Sequence, residues 1–247
     1  MGKIILSEIP TIPPSGLDKD KVKKKVKKLA KKIGDLQHIM YAEKKHSLLV
    51  VLQGMDSSGK DGTTRNVFQY CNPAGIDAYG FKKPTEEEFA HDFLWRCNKL
   101  APRKGNVMVF IRSHYEDILI QKVHNWIDDE KRERRMKAIN TWEELLEFDN
   151  NTTVLKFYLH LSKERQEEKL QERIDIPEKN WKHNPGDWEE RKHWDAYMQA
   201  YEDVLNWSEI PWHVIPVDQR WYRDYLMTDI MLKTMEGLNM KWPPLEQ

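Results

Sequence analysis

In the segment VVLQGMDSSGKDGTTRNV, Val50 to Val67, Gly54, Gly59, Lys60 and Gly62 follow an apolar run and precede a helix-forming stretch, TTRNVFQY. Glycines at those places let backbone amides turn inward, a helix start adds the positive end of its dipole, and a lysine reaches bridging or terminal oxygens. That combination binds phosphate, and Met55, Ser57 and Ser58 complete the loop. Asp61 stands where a nucleotide-binding loop ordinarily carries Ser or Thr, whose hydroxyl ligates Mg²⁺. Asp56, inside the loop, offers a hard oxygen ligand in its place, directly or through water.

The elements that must position this loop follow from the apolar pattern. SLLVVLQG reads as a strand buried on both faces, and NVMVFI from Asn106, TVLKFYLHL from Thr153, WHVIPV from Trp212 and a shorter DAYGFK follow the same plan. Helical patterns alternate with them, which predicts an α/β fold with a mainly parallel sheet. Capping boxes mark helix starts at Thr85 with Glu88, Ser113 with Glu116 and Thr141 with Glu144, opening EEEFAHDFLWR, HYEDILIQKVHNWI and WEELLEF. Asp187 with Glu190 marks another start, so Gln166 to Leu205 reads as two helices joined by the basic loop NWKHNPG, a helical lid. Near the N-terminus, Val22, Val26, Leu29, Ile33, Leu36 and Met40 recur every three or four residues and define one face of a lysine-rich helix whose other face is solvated.

Composition bounds the rest. A chain of 247 residues, 39% hydrophobic and 32% charged, suits one domain over 1–247, with a basic helix within 1–45 and a lid over 166–205. Two cysteines, Cys71 and Cys97, make no disulfide framework and read as packing residues in a reducing compartment. The N-terminal apolar patch is too short for a signal-peptide core, and no run approaches the roughly 18 apolar residues of a membrane span, so a cytoplasmic location without membrane contact is expected. Zero formal net charge argues against a nucleic-acid binder. A basic set from Arg173 through Lys179, Lys182 and Arg191 to Lys192 points instead to a compact polyanion site.

LQGMDSSGKDG, FKKPT, HDFLWR at His91 to Arg96, RSHYED at Arg112 to Asp117, and ERIDIPEKNWK with DWEERKHWDAY together resemble polyphosphate kinase family 2, closest to its class III. The resemblance extends from about Leu36 to about Tyr222. It implies a three-layer, thymidylate-kinase-like P-loop kinase fold, a parallel sheet flanked by helices with a helical lid. It also implies Mg²⁺-dependent transfer of the terminal phosphoryl group between inorganic polyphosphate and AMP or ADP. Adenine or guanine nucleotides, Mn²⁺ in place of Mg²⁺, and a homo-oligomer, dimer or tetramer, belong to the same expectation.

Carried over by motif, Asp56 and Glu116 hold the metal, Lys60 binds phosphates, and Arg112 and Arg173 neutralise charge on the transferred group. Lys82, Arg96, Lys179, Lys182 and Arg191 line the anion path. Glu116 also reads as the last member of the Ser113 capping box, and Trp181, Trp188 and Trp194 as a small core of the lid. The important departure from the family is Ile111, before Arg112, which replaces an Asp or Asn that helps hold the metal's waters, and Asn98, Lys83 and Arg65 are milder departures. Two alternatives therefore stand beside the kinase reading: an ATP-dependent kinase for a nucleotide or small molecule, and a weakly active polyphosphate-binding protein.

Overall fold

The five apolar runs become five parallel strands in the computed structural model, which describes residues 2–245. Met1 and the last two residues, which the sequence reading includes in the same domain, lie outside the described residues. In chain order the elements are α1 (Lys19–Glu43), β1 (Ser47–Gln53), α2 (Lys60–Val67), β2 (Ile76–Gly80), α3 (Glu86–Phe89), α4 (Trp95–Asn98), β3 (Val107–Ile111), α5 (Ile120–Val123), α6 (Asp129–Asn150), β4 (Thr152–His160), α7 (Lys163–Asp175), α8 (Pro185–Arg191), α9 (Trp194–Trp207), β5 (Trp212–Pro216) and α10 (Arg220–Gly237).

The sheet order is β2-β3-β1-β4-β5. β1 is the central strand, and its side chains alternate between two cores. Leu49 and Val51 join Phe110, Tyr158, Trp142 and Tyr201 on one face, and Leu48, Val50 and Leu52 join Ile33, Met40, Met227 and Met231 on the other. Helices α6 and α9 supply the first core and α1 and α10 the second, giving three layers. Burial on both faces is what the continuous apolar sequence of β1 demands.

α1 buries Val26, Ile33 and Met40 as the spacing predicts, while Val22, Leu29 and Leu36 are half-buried at the margin. Its lysines face solvent, and Asp18 caps its start by accepting from the amides of Asp20 and Lys21.

Three of the four expected helix starts differ in length, place or helix type, and the fourth, at Asp187, differs in its cap. Thr85 and Glu88 form their capping box, but the helix ends after one turn at Phe89 and a second turn begins at Trp95. Thr141 and Glu144 lie inside α6, which starts at the Asp128 cap and continues past them because Ile139, Trp142, Glu143 and Leu146 keep one face buried. Ser113 opens no α-helix: its hydroxyl accepts from the Tyr115 amide and the Gln53 side chain, and residues His114–Asp117 form a 3₁₀ turn.

Within 166–205, α9 belongs to the body of the fold, because Trp194, Tyr197, Ala200, Tyr201, Val204 and Leu205 are buried in the main core. Trp194 is therefore no lid-core residue, and Trp181 is 79% exposed. α8 is capped by Asn184, not Asp187, whose carboxylate is taken by Arg173.

Candidate functional site

The strand order reverses at β1, between β3 and β4, and ligands of open parallel sheets bind in the crevice past the carboxyl ends of strands at such a point. Register makes the crevice specific. Leu52 pairs with Ile111, so the loop leaving β1 and the turn leaving β3 start side by side. Asp56 and Arg112, far apart in sequence, consequently form an ion pair.

The loop is built close. Gly54 has φ +145°, and a Cβ there would sit 2.7 Å from the Leu159 carbonyl oxygen, so only glycine fits. Gly59, at φ +94°, turns the chain into α2, whose first turn contributes Lys60, Asp61 and Gly62 to the cavity wall. The unpaired amides and positive dipole end of that helix therefore lie at the cavity. Ser57 and Ser58 also line it, and their buried hydroxyls have no partner among the described residues. Lys60 folds back, donating to the carbonyls of Gly54 at 2.7 Å and Met55 at 3.2 Å. Met55 and Gly54 thus act through their backbone, behind the wall.

Two non-glycine residues here hold left-handed backbone, Ser57 at φ +69° and Arg112 at φ +61°. Such conformations cost about 1–3 kcal/mol each and persist where surroundings over-determine them.

Charge concentrates in the cavity, about 610 Å³ in volume. Ten cationic side chains line it against four carboxylates. Arg173 is engaged with Asp187 at 2.5 Å and the Lys182 carbonyl at 3.1 Å, and Lys179 with Glu172 at 2.8 Å. Arg65, Lys82, Lys169, Lys182 and Arg220 make no ion pair among the described residues.

Burial opposes the charge on Asp56, but Arg112 and Lys60 outweigh it and hold the carboxyl below its usual range. Lys60 moves down to about 8, chiefly through burial and then repulsion from Arg112, against attraction from Asp56 and Glu116. Asp56 raises the pKa of Arg112, which stays charged. Glu116 is half-buried, and burial raises its carboxyl against the pull of Arg112 and Lys60.

Of the residues expected on the anion path, Lys82, Lys179 and Lys182 line the cavity. Arg96 does not. Its guanidinium is buried, donating to the Lys82 carbonyl at 3.0 Å and to Asp117 at 3.2 Å, which fixes the FKKPT segment to the turn after β3. Arg191 does not either, because it ties α8 to α7 through the Lys163 carbonyl, Gln166 and Glu167. Glu116 lies among Arg112, Lys60 and Asp56 electrostatically but is not a wall residue.

Sequence reading overlooked Lys169, Arg220 and Arg223. Lys169 is buried, lines the cavity, and its Nζ has no partner among the described residues. Burial, with repulsion from Arg220 and Arg165, lowers it to about 8. Its signal was present: Arg165, Lys169 and Arg173 recur every four residues and share one face of α7. Arg220 and Arg223 sit in the first turn of α10, where the dipole disfavours cations unless an anion is near. Arg223 contacts the Gly59 carbonyl at 3.3 Å and is oriented by Asp224.

Metal-binding capacity is modest. Among the described residues no three His, Cys, Asp or Glu side chains group as a ready cage. Mg²⁺ does not require one, because it commonly takes one or two carboxylates and completes its shell with water and phosphate. Asp56, ionised and partly accessible beside the unpartnered Ser57 and Ser58 hydroxyls, fits that role, with Glu116 as the nearby second carboxylate.

The family model described as Polyphosphate kinase 2 matches residues 16–243. An AMP/ADP-polyphosphate phosphotransferase of Meiothermus ruber is 46% identical over 221 residues, covering 88% of this chain and 82% of that one. An ADP-polyphosphate phosphotransferase of Rhodopseudomonas palustris is 36% identical over 257 residues, covering 98% and 89%. The crystal structure of polyphosphate kinase 2 from Arthrobacter aurescens superposes with a TM-score of 0.95 at 38% identity, covering 99% of this chain and 89% of that one.

Proposed function

The chain belongs to the polyphosphate kinase 2 family, and from that premise we propose that it transfers the terminal phosphoryl group between inorganic polyphosphate and AMP or ADP. The observation that carries this reading is the cationic cavity converging on Asp56, Lys60 and Arg112. Relatives bearing the names AMP/ADP-polyphosphate and ADP-polyphosphate phosphotransferase support it across most of the chain. A class III assignment, with AMP passing to ADP and ADP to ATP, belongs to this reading. So do guanine nucleotides as further acceptors, a cytoplasmic location and a dimer or tetramer. No helix among the described residues is long and apolar enough to cross a membrane.

The family uses a divalent metal, which in this reading is Mg²⁺, with Mn²⁺ accepted by the same oxygen donors. Asp56 and Glu116 would hold it, and it would neutralise charge on the phosphates during transfer. Ile111 packs its side chain against the apolar core at the end of β3 and supplies no ligand, so those two carboxylates carry the protein's share of the site.

The protein's own work is positioning and charge stabilisation. Loop amides and Lys60 hold nucleotide phosphates, and Arg112 and Arg173 face the phosphoryl group in transfer. The distal cations Lys169, Lys179, Lys182 and Arg220 hold the polyanion. One P–O bond forms to the acceptor's terminal phosphate oxygen as one P–O bond of the polyphosphate breaks, leaving a chain shorter by one phosphate. The acceptor oxygen is already ionised, so no general base is required.

Lys60→Met and Asp56→Ala test this assignment. Each lowers kcat at least about 10²-fold, the scale of preorganised charge stabilisers, with the far-ultraviolet dichroism of the parent retained. Near-parental turnover in either folded variant contradicts the assigned roles.

A further inference from the structure

At the middle of β4, inside the sheet, lies Lys156, fully buried. Its partners across the sheet are Val51 on β1, which is apolar, and Trp212 on β5, whose ring centroid lies 5.2 Å from Nζ but carries no counter-charge. Glu143 on α6, also fully buried, does, with Oε2 2.6 Å from the Lys156 Nζ. Tyr115 joins the two. Its hydroxyl accepts from Lys156 at 2.7 Å and donates to Glu143 Oε1 at 2.8 Å. Burial opposes the Glu143 charge, but Lys156 and His114 outweigh it and keep the carboxyl below its usual range.

His114 completes the set. Its Nε2 lies 3.2 Å from Glu143 Oε1, and its Nδ1 has no partner among the described residues, which places the proton on Nε2. Burial lowers its pKa, so the ring is neutral, wedged against Tyr115 and Trp142. Ser208, which accepts from Trp212 Nε1 at 2.7 Å, approaches the Tyr115 hydroxyl at 3.5 Å. None of these side chains lines the cavity.

A buried ion pair is a weak source of net stability, since apolar side chains of similar volume do as well or better in its place. Directional bonds do what apolar packing cannot: they fix orientation. Here they grip two consecutive residues, His114 and Tyr115, that lie between Arg112 and Glu116. Arg112 enters this turn in left-handed backbone, and Ser113 is pinned by Gln53 from the end of β1. The turn is thus held at both ends, and the two charged groups beside Lys60 and Asp56 are displayed from its flanks.

We infer that Glu143, Lys156, Tyr115 and His114 form a buried positioning network that sets Arg112 and Glu116 for the phosphoryl transfer proposed above, on which reading this inference rests. The network acts through the turn and touches no substrate.

Two variants test it by two readouts. Tyr115→Phe removes one hydroxyl and leaves the ring. The double variant Glu143→Leu with Lys156→Met replaces the charged pair by apolar groups and regains or exceeds the parental melting temperature. In both, amide hydrogen exchange across residues 112–117 accelerates at least about tenfold while that of β1 stays parental, the signature of a local opening. With AMP or ADP and polyphosphate, kcat falls about 10²-fold, the cost of a misplaced group, while KM for both substrates stays near the parent's. Parental exchange across 112–117 overturns the inference, and so does a double variant in which turnover returns together with the melting temperature. A parent that fails to use polyphosphate defeats the proposed function instead, and the exchange readout alone then decides whether the network holds the turn.

Discussion

At the scale of the residue, Lys169 shows what position does to a side chain. On α7 it looks like one more surface lysine, yet burial and the repulsion of Arg220 and Arg165 lower it to about 8. Its cationic form is therefore disfavoured by the fold and restored by an anion. The sign follows: below about pH 8 it contributes a full charge to the cavity, and above it none. Lys60 shares that range, so two charges are lost together in the free protein as pH rises. We predict that kcat/KM for polyphosphate falls through about pH 8 with a two-proton limb, and that Lys169→Gln reduces it to one proton and lowers the value at pH 7. An unchanged limb in the variant contradicts this. Folding carries the opposite consequence: between about 8 and the ordinary lysine value of 10.5 the unfolded chain binds more protons, so stability rises with pH across that window.

The tight turn after β1 was legible at this scale because Gly54 and Gly59 hold positive φ, a conformation that glycine in the sequence signals locally. Arg96 and Arg191 lie off the cavity wall because each is taken by a carboxylate, Asp117 in one case and Glu167 in the other, and a cation's partner is a matter of tertiary placement. Lys156 and Glu143 left no local mark, since each sits in an ordinary strand or helix pattern and only the sheet brings them together.

At the scale of the element, the five strands were readable from apolar runs, and α1 from its spacing. What the capping pattern could not show is whether a helix start is used. Ser113 has an acid three residues on, as a start should, but the side chains of His114 and Tyr115 are drawn into the core by Glu143, and the segment closes as a 3₁₀ turn. The packing of α1 gives a separate test. A Cβ on Gly34 would lie 2.4 Å from the Tyr70 carbonyl oxygen, a backbone atom at the end of the segment after α2. Gly34→Ala is expected to destabilise by about 1–3 kcal/mol through overpacking, lowering the melting temperature by roughly 2–4 °C per kcal/mol. Turnover per folded molecule should be unaffected, because Gly34 is not among the cavity residues. A melting temperature equal to the parent's would show that this contact gives way freely.

At the scale of the whole molecule, a chain of zero formal net charge gathers ten cationic side chains around one cavity, and the balance is held by carboxylates elsewhere. The parallel order around β1 explains how: every strand ends at the same edge of the sheet, so the loops after β1 and β3 and the starts of α2 and α10 meet there with α7 and the turn 177–182. Such a concentration of cations suits a polyanion. The direct test is to incubate the protein with AMP, long-chain polyphosphate and Mg²⁺ in the complete absence of ATP, and to follow products by chromatography. The account predicts ADP followed by ATP, with polyphosphate consumed in step. No nucleotide product there, alongside phosphorylation supported by added ATP, would contradict it.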